Sequence, residues 1–349
     1  MRAIVLAGKG RVELRTVERP RILEPTDAIV RVHLAGICGT DLHLVGGDFT
    51  AFAEGTILGH EFAGDVVETG SAVERFRIGD RVCAPDFTAC GRCRWCERGE
   101  HWECHERAFF GTGLVFGPAL PGAQTEFVRV PRADVTLFTI PEFCSDESAL
   151  LVADNLSTAW AAAELGGLAA GETVAIVGGG PIGQLAAMCA SVRGAGAVVV
   201  SEPNAERRAF ATRSGAIAAS PEQSGGIVRE LTHGDGADLV IEAVGNAKTL
   251  DAAFGLVRKR GRIVSVGAHA ADSWAFPLAR SFADELSLRF VIGDALRYRR
   301  TLFSLIQRGV LQPDDVVQAR VSLADAPAAY ERIVRQEVLK AVVDVRISS

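Results

Sequence analysis

The sequence carries no excess of positive charge: 37 Lys and Arg stand against 43 Asp and Glu, for a formal net charge of −6. That balance argues against a nucleic acid or an anionic membrane surface as the main partner. The basic runs Arg258-Lys259-Arg260 and Arg297 to Arg300 read as solvated helix ends or faces. No basic segment followed by an apolar run stands at Met1 to Gly10, so no secretory leader is read there and a cytoplasmic protein is expected. An unbroken membrane span is missing too. Thr173 to Val192 is uncharged over twenty residues, but Gly178-Gly179-Gly180-Pro181 interrupts it, and lipid-facing backbone would go unsatisfied at that break. Neither a short fixed repeat nor a low-complexity tract is present, which excludes solenoids. A disulfide framework is also excluded, because such frameworks belong to small loop-rich chains and this one is large and rich in Gly, Val and Ala. Four of the eight cysteines fall within fifteen residues, Cys90 to Cys104. That is metal spacing, and it implies reduced thiols.

A chain of 349 residues exceeds one ordinary hydrophobic core, so two domains are expected. Its 48% hydrophobic and 23% charged residues are the balance of a soluble globular protein. Up to about residue 154 the chain consists of short strand-like runs, such as Ala28 to Leu34 and Gly64 to Gly70, punctuated by Gly, Asp and Pro. The pattern predicts a mostly antiparallel, barrel-like domain. From Asn155 the texture changes to apolar strands alternating with helices: strand Thr173 to Val177, helix Ile182 to Val192, then strands at Ala197 to Val200, Asp238 to Ile241 and Arg262 to Val266. Such alternation predicts a parallel, doubly wound α/β sheet over 155–292. The tail 293–349, with a helix over Tyr298 to Gln307 and a closing strand Ala341 to Val345, is expected to return to the first domain.

Three groups of residues carry chemistry. Cys90-x-x-Cys93-x-x-Cys96-x7-Cys104 has the spacing of a four-thiolate zinc shell, and a closed shell cannot bind substrate, so this site is structural. The loop Gly178-Gly179-Gly180-Pro181-Ile182-Gly183 follows an apolar strand and opens a helix. Glycine there lets backbone approach a pyrophosphate, to which the helix N-terminus offers free N–H groups. Glu202 ends the next strand, nineteen residues beyond Gly183, where a carboxylate accepts from both adenosine ribose hydroxyls. It would repel the extra phosphate of NADP, although Arg207, one turn along, could meet that phosphate. The plainer reading makes Glu202 a helix N-terminal acid ahead of Arg207 and Arg208. The third group is dispersed: Cys38-Gly39-Thr40-Asp41-Leu42-His43 and Gly59-His60-Glu61. Cys38 and His60 are each compatible with simple burial; an open metal site that binds and acidifies an alcohol gives them a joint purpose.

Together these segments resemble the zinc-dependent medium-chain alcohol dehydrogenases over essentially the whole chain. The resemblance implies a Rossmann cofactor domain at 155–292, inserted in a mostly β, GroES-like catalytic domain formed by 1–154 and 293–349. A structural zinc lobe would occupy about 88–106. It implies two zinc ions per chain, NAD(H), a small alcohol or carbonyl substrate, and a homodimer or homotetramer. Cys38 and His60 match ligands of the catalytic zinc, and Glu61 matches a residue that approaches the metal when water is exchanged. Thr40 and His43 match a proton relay. Cys90, Cys93, Cys96 and Cys104 match the structural site without substitution. For the cofactor, Thr158, Val266, Gly267 and Ala268 are implied beside the nicotinamide, and Lys340 at the pyrophosphate. One departure stands out. Many relatives place a second cysteine where this chain has Asp154, which some members use as the third zinc ligand; a harder, more anionic set alters zinc's acidity and exchange. The rival arrangement ligates through Cys38, His60 and Glu61 with Asp154 acting through a water, and the plainest makes Asp154 a helix N-cap. Cys83, Cys144 and Cys189 remain as small buried hydrophobes.

Three functions compete. Oxidoreduction of an alcohol–carbonyl pair with NAD(H) uses every group named. Reduction of an activated C=C or C=N bond usually accompanies an incomplete zinc set or relay. A zinc-ribbon binding protein without turnover leaves Glu202, the glycine loop and the Cys38/His60 pair unexplained. The aromatic segments Gly46 to Phe52 and Phe109 to Phe116 are candidates for an apolar substrate pocket, core packing being the alternative.

Overall fold

The structure, a computed structural model, describes residues 1–49 and 53–347, so Thr50, Ala51 and Phe52 of the expected aromatic loop lie outside it. The chain divides into two compact units: Met1–Asp154 with Asp294–Ser349, and Asn155–Gly293.

In the first unit, the strand Ala28–Gly36 buries every position except Arg31 and His33. Such a strand needs partners on both edges, and it has them. Phe62–Thr69 and Phe127–Val130 pair with it antiparallel, as does Lys340–Asp344. The sheet runs Val317–Val321, Lys340–Asp344, Ala28–Gly36, Phe62–Thr69, Arg81–Ala84, Phe138–Thr139. All five residues of Lys340–Asp344 are buried, which is why the C-terminal tail belongs to this unit. Its register starts one residue before the apolar run, because backbone pairing to Val317 recruits the charged Lys340. The helix Asp146–Ala153 starts at Ser145, whose hydroxyl accepts from Ser148 N–H, and buries Ser148 through Ala153. It stops at Asp154, whose backbone leaves the helical region before a second helix, Asn155–Leu165.

In the second unit six strands are parallel in the order Ile217–Ala219, Ala197–Ser201, Thr173–Val177, Ala237–Glu242, Val257–Ser265, Ser287–Phe290. The order reverses between Thr173–Val177 and Ala237–Glu242, and ligands of open α/β sheets bind at the carboxyl ends of the strands at such a point. Ala175, Val177, Val199, Val240 and Ile263 form the core with Phe254 from the helix Ala247–Leu256. The strand expected from Arg262 begins at Val257 instead. Pairing of Val257 with Ala237 and the Arg258–Asp238 ion pair at 2.7 Å carry Arg258-Lys259-Arg260 into the sheet despite their charge. The uncharged stretch Thr173 to Val192 folds as strand, turn and helix. Among the described residues no helix is long and apolar enough to cross a membrane.

At the start of the helix Asp146–Ala153, the Asp146 carboxylate accepts from Arg81 Nε and Nη2 at 2.9 and 2.7 Å. A hydrogen bond from His33, ahead of the Arg81 guanidinium, holds its carboxyl at about 2 against the effect of burial. A carboxyl held below its ordinary value stabilises the fold above that value and loses the effect as pH falls toward the folded one. Asp146→Asn should therefore lower the urea midpoint at pH 6, with a gap to wild type that closes between about pH 4 and 2. A gap independent of pH over that range would contradict this account.

Candidate metal and cofactor sites

Cys38 stands at the N-terminus of the helix Gly39–Gly46, His60 and Glu61 lead into Phe62–Thr69, and Asp154 fills the break between two helices. The ligand atoms of these four residues lie within 4.8 Å of one another. Cys38 Sγ is 3.6 Å and His60 Nε2 3.5 Å from Asp154 Oδ2. A tetrahedron built on zinc bonds of roughly 2.0–2.3 Å has edges of about 3.3–3.8 Å, so the donor set fits a zinc ion. Glycines make the room. A Cβ at Gly36 would stand 1.6 Å from Glu61 Oε2, and one at Gly59, whose φ is +91°, would stand 2.5 Å from Gln124 Cγ.

The electrostatics also call for a cation. Burial, then the charge of Asp154, pushes the Cys38 thiol up. His60 is driven well above its ordinary value: burial opposes this, but Asp41 and then Cys38 overcome it. Burial would raise Asp154 too, yet the hydrogen bond and charge of His60 hold it at about 2. A proton on His60 thus sits among thiol and carboxylates, the place a divalent ion would take. Burial lifts Glu61 to about 7 against the charge of Lys340.

Lys340 is placed differently from the pyrophosphate contact implied for it. Its ammonium is buried and donates to both Glu61 oxygens, at 2.7 and 2.6 Å. The reason is local, since a buried carboxylate beside other acids needs a counter-cation.

Three supporting residues carry no motif signal strong enough to have been assigned. Asp41 Oδ2 accepts from Cys38 N–H at 2.9 Å and from Gln124 Nε2 at 3.4 Å, while its Oδ1 stands 3.5 Å from His60 Nδ1. A carboxylate behind a ligating imidazole fixes which nitrogen faces the metal. Gln124 also donates to Gly36 O and accepts from Tyr330. Only Asp41 could have been found, as the acid in the third helical position after Cys38; Gln124 and Tyr330 are distant in sequence. Of the relay residues, Thr40 Oγ1 is 4.0 Å from Cys38 Sγ, and His43 Nδ1 is 2.8 Å from Asp48 Oδ2.

The four lobe cysteines also have their sulfurs within 4.8 Å of one another. Cys90 and Cys93 Sγ lie 3.9 and 3.6 Å from Cys96 Sγ, and Cys104 Sγ accepts from Cys90 and Glu106 N–H. Left-handed turns at Gly91 and Gly99, φ 73° and 72°, fold the segment back on itself. His101 anchors it through its N–H and ring to Asp294, at 2.8 and 3.0 Å. Cys83, Cys144 and Cys189 are buried elsewhere, and burial pushes Cys144 and Cys189 up to about 12.

In the second unit the helix Pro181–Val192 is capped by Gly180 with Pro181 in its first turn. A Cβ at Gly183 would stand 1.9 Å from Gly178 O, and Gly178 has φ +102°, so strand end and helix touch through glycine backbone. Glu202 closes this loop. Its Oε2 accepts from Gly179 N–H at 2.7 Å and its Oε1 from Asn204 N–H at 2.8 Å. Arg207 lies on the helix Ala205–Ala211, its amide donating to Asn204. Thr158 is buried in Asn155–Leu165, and Val266 to Ala268 follow Val257–Ser265.

Within the lobe, the Cys96 amide, ahead of those of His105 and Trp95, lowers the half-buried Cys93 thiol to about 6, whereas burial raises Cys96 and Cys104. After chelation, iodoacetamide at pH 7 should label Cys93 before the other three, and added zinc should suppress the labelling. Peptide mass spectrometry showing Cys96 or Cys104 labelled first would refute this.

Residues 24–142 match the alcohol dehydrogenase GroES-like domain and residues 181–308 the zinc-binding dehydrogenase domain. A probable zinc-binding alcohol dehydrogenase of Mycobacterium tuberculosis is 34% identical over 331 residues, covering 95% of this chain and 84% of the relative. A glutathione-independent formaldehyde dehydrogenase of Pseudomonas aeruginosa is 31% identical, covering 94% of each. Among solved structures, an alcohol dehydrogenase from Thermus sp. ATN1 superposes with a TM-score of 0.93 at 40% identity, covering 99% of this chain and 100% of that one. The chain belongs to the zinc-dependent medium-chain dehydrogenase/reductase family.

Proposed function

We propose that the protein interconverts an alcohol and its carbonyl partner with NAD(H), using a catalytic zinc on Cys38, His60 and Asp154 and a structural zinc on Cys90, Cys93, Cys96 and Cys104. The observation that carries this reading is the convergence of Cys38 Sγ, His60 Nε2 and Asp154 Oδ2 into one tetrahedral face, distinct from the closed four-sulfur set. A zinc ion held there would supply Lewis acidity to a substrate hydroxyl, and NAD(H) would supply the hydride acceptor or donor. The chain's own residues handle the proton and the geometry. Thr40, beside Cys38, would accept the substrate proton while passing its own on along a hydrogen-bonded chain, by way of the cofactor ribose hydroxyl, toward His43. His43, one turn further on the same helix face and half exposed, would deliver the proton to solvent, with its ring oriented by Asp48 Oδ2 at 2.8 Å from Nδ1. Asp41 keeps His60 Nε2 facing the metal, and Lys340 neutralises Glu61 so that Asp154 remains the anionic ligand. In the second unit the glycine loop Gly178 to Gly183 would let the pyrophosphate approach the helix start, and Glu202 would take the ribose hydroxyls. Thr158, Val266, Gly267 and Ala268 would stand beside the nicotinamide.

Metal content and steady-state kinetics test this together. Wild type should carry two zinc ions per chain and prefer NAD to NADP at least tenfold in kcat/KM, since Glu202 repels a 2′-phosphate. Asp154→Ala should keep one zinc and lose well over the ~10–100-fold typical of a lost supporting contact; Asp154→Cys should keep two. Two tightly held zinc ions in Asp154→Ala would make Glu61 the third protein ligand, and equal use of both cofactors would remove Glu202 from the ribose site.

A homodimer is part of the same reading. Ser287–Phe290 is an open sheet edge, and Phe290, Ile292, Leu278 and Phe282 near it in sequence are exposed, Phe282 to 86%. An uncovered edge with apolar neighbours favours pairing with a second copy about a two-fold axis. Sedimentation should show a dimer that Phe290→Arg with Phe282→Arg dissociates. A wild-type monomer at micromolar concentration would contradict it.

A further inference from the structure

Asp86 is a buried acid with no role in the proposed hydride transfer. Asp86 follows the strand Arg81–Ala84, which pairs antiparallel with Phe62–Thr69 in the register Phe62↔Ala84. Two more residues of that register bring Asp86 opposite His60. Its carbonyl accepts from Phe110 N–H at 3.0 Å, and the next residue, Phe87, bridges Phe109. The Phe109 ring in turn lies 5.4 Å from the His60 ring and 5.1 Å from Phe116, which meets Phe49 at 5.6 Å. Asp86 is only 8% exposed. Among the described residues its carboxyl has no side-chain partner and reaches only its own backbone amide. Burial, then the negative charge of Asp154, pushes it well above the usual carboxylate range.

A carboxyl in that position is costly to the folded protein unless something hydrogen-bonds to it. The aromatic neighbours offer nothing of the kind. Of the cations nearby, Lys340 is held by Glu61, His60 faces Asp154, and Arg107, although it feels the Asp86 charge, gives its Nη groups to the Trp102 and Phe116 carbonyls. A bound alcohol is a partner of the right chemistry. A hydroxyl both donates and accepts, so it serves the carboxyl in either protonation state, whereas an ammonium group would be placed beside a divalent metal.

We infer that Asp86 is a specificity-determining residue that hydrogen-bonds a second hydroxyl of the substrate, making vicinal diols the substrate class, with their carbon skeleton packed on the Phe109 and Phe116 rings. This rests on the alcohol–carbonyl reading. A site built to hydrogen-bond a substrate hydroxyl discriminates strongly against analogues lacking it, because its own polar group is then left unpaired.

The test compares propane-1,2-diol with propan-1-ol and propan-2-ol in the zinc-loaded enzyme with NAD. Wild type should favour the diol at least ~100-fold in kcat/KM over the better mono-ol. Asp86→Ala should bring the ratio to within about threefold of unity, mostly through KM. Asp86→Asn, which keeps a donor and an acceptor in place, should retain the preference within about threefold. Asp86→Leu, of similar shape but with no hydrogen-bonding group, gives the same reading as Ala should Ala not fold, with zinc content and thermal unfolding checking each variant. Mono-ol turnover with a wild-type ratio near unity, or a ratio unmoved in Ala and Leu, overturns the assignment while leaving the alcohol reading standing. A preference for 1-aminopropan-2-ol that Asn abolishes overturns it in favour of a cation site. Turnover of none of the three alcohols overturns both readings.

Discussion

Four ionisable side chains, Cys38, His60, Glu61 and Asp154, are buried with their ligand atoms inside 4.8 Å. Burial disfavours every charged form among them; Asp41 and Cys38 offset it for His60, His60 offsets it for Asp154, and the proposed cation at the centre would offset it for the whole cluster. Much of the first unit serves that requirement. Gly36 and Gly59 lack side chains where any Cβ would strike Glu61 or Gln124. Asp41, Gln124 and Tyr330 tie the Cys38 backbone, the Gly36 carbonyl and the C-terminal helix Ala326–Val334 together. The final strand Lys340–Asp344 crosses back into the sheet beside Ala28–Gly36 and delivers the one ammonium that balances Glu61. Return of the C-terminal tail is therefore an electrostatic necessity of the site as well as a way to cover a sheet.

Glu61 shows how the balance is divided. Two anionic ligands on the proposed zinc, Cys38 and Asp154, would already neutralise it, and a third anion within reach would crowd it. Lys340 holds both Glu61 oxygens, and that bidentate pairing leaves Asp154 as the carboxylate turned toward Cys38 and His60. Exchange of the two acids at the metal would require the Lys340 pair to open in a buried setting, where parting one partner is expensive.

Legibility followed the range of the interaction. The four-cysteine lobe and the Gly178 to Gly183 loop are local motifs, and their geometry is contained in spacing: three-residue steps fold round an ion, and a glycine where strand meets helix admits Gly178 O. Cys38 and His60 are weak signals singly and gain weight only through the family resemblance, as does Asp154. Lys340 is visible, but its partner lies 279 residues away and no periodicity reports such a pairing. Asp86 is hidden for the same reason: an isolated acid after a strand looks like a turn residue until the register with Phe62–Thr69 places it opposite His60. The strand Val257–Ser265 begins earlier than the sequence predicts because hydrophobicity reports the apolar run and not the backbone pairing of Val257 with Ala237.

The same thiol chemistry is pulled in opposite directions at the two metal sites. In the lobe, backbone amides aimed at Cys93 favour its thiolate even before metal arrives, and the residue is half exposed. At Cys38 burial and neighbouring carboxylates favour the thiol, so only the cation itself creates the ligand. The lobe can therefore assemble its shell from a preformed anion at the surface, one sulfur at a time. The buried cluster must bind metal and release protons in one coupled step. Under the proposed assignment, that coupling would keep an ion at the buried cluster responsive to what occupies its remaining position, whereas a closed shell of four sulfurs would leave no position to occupy.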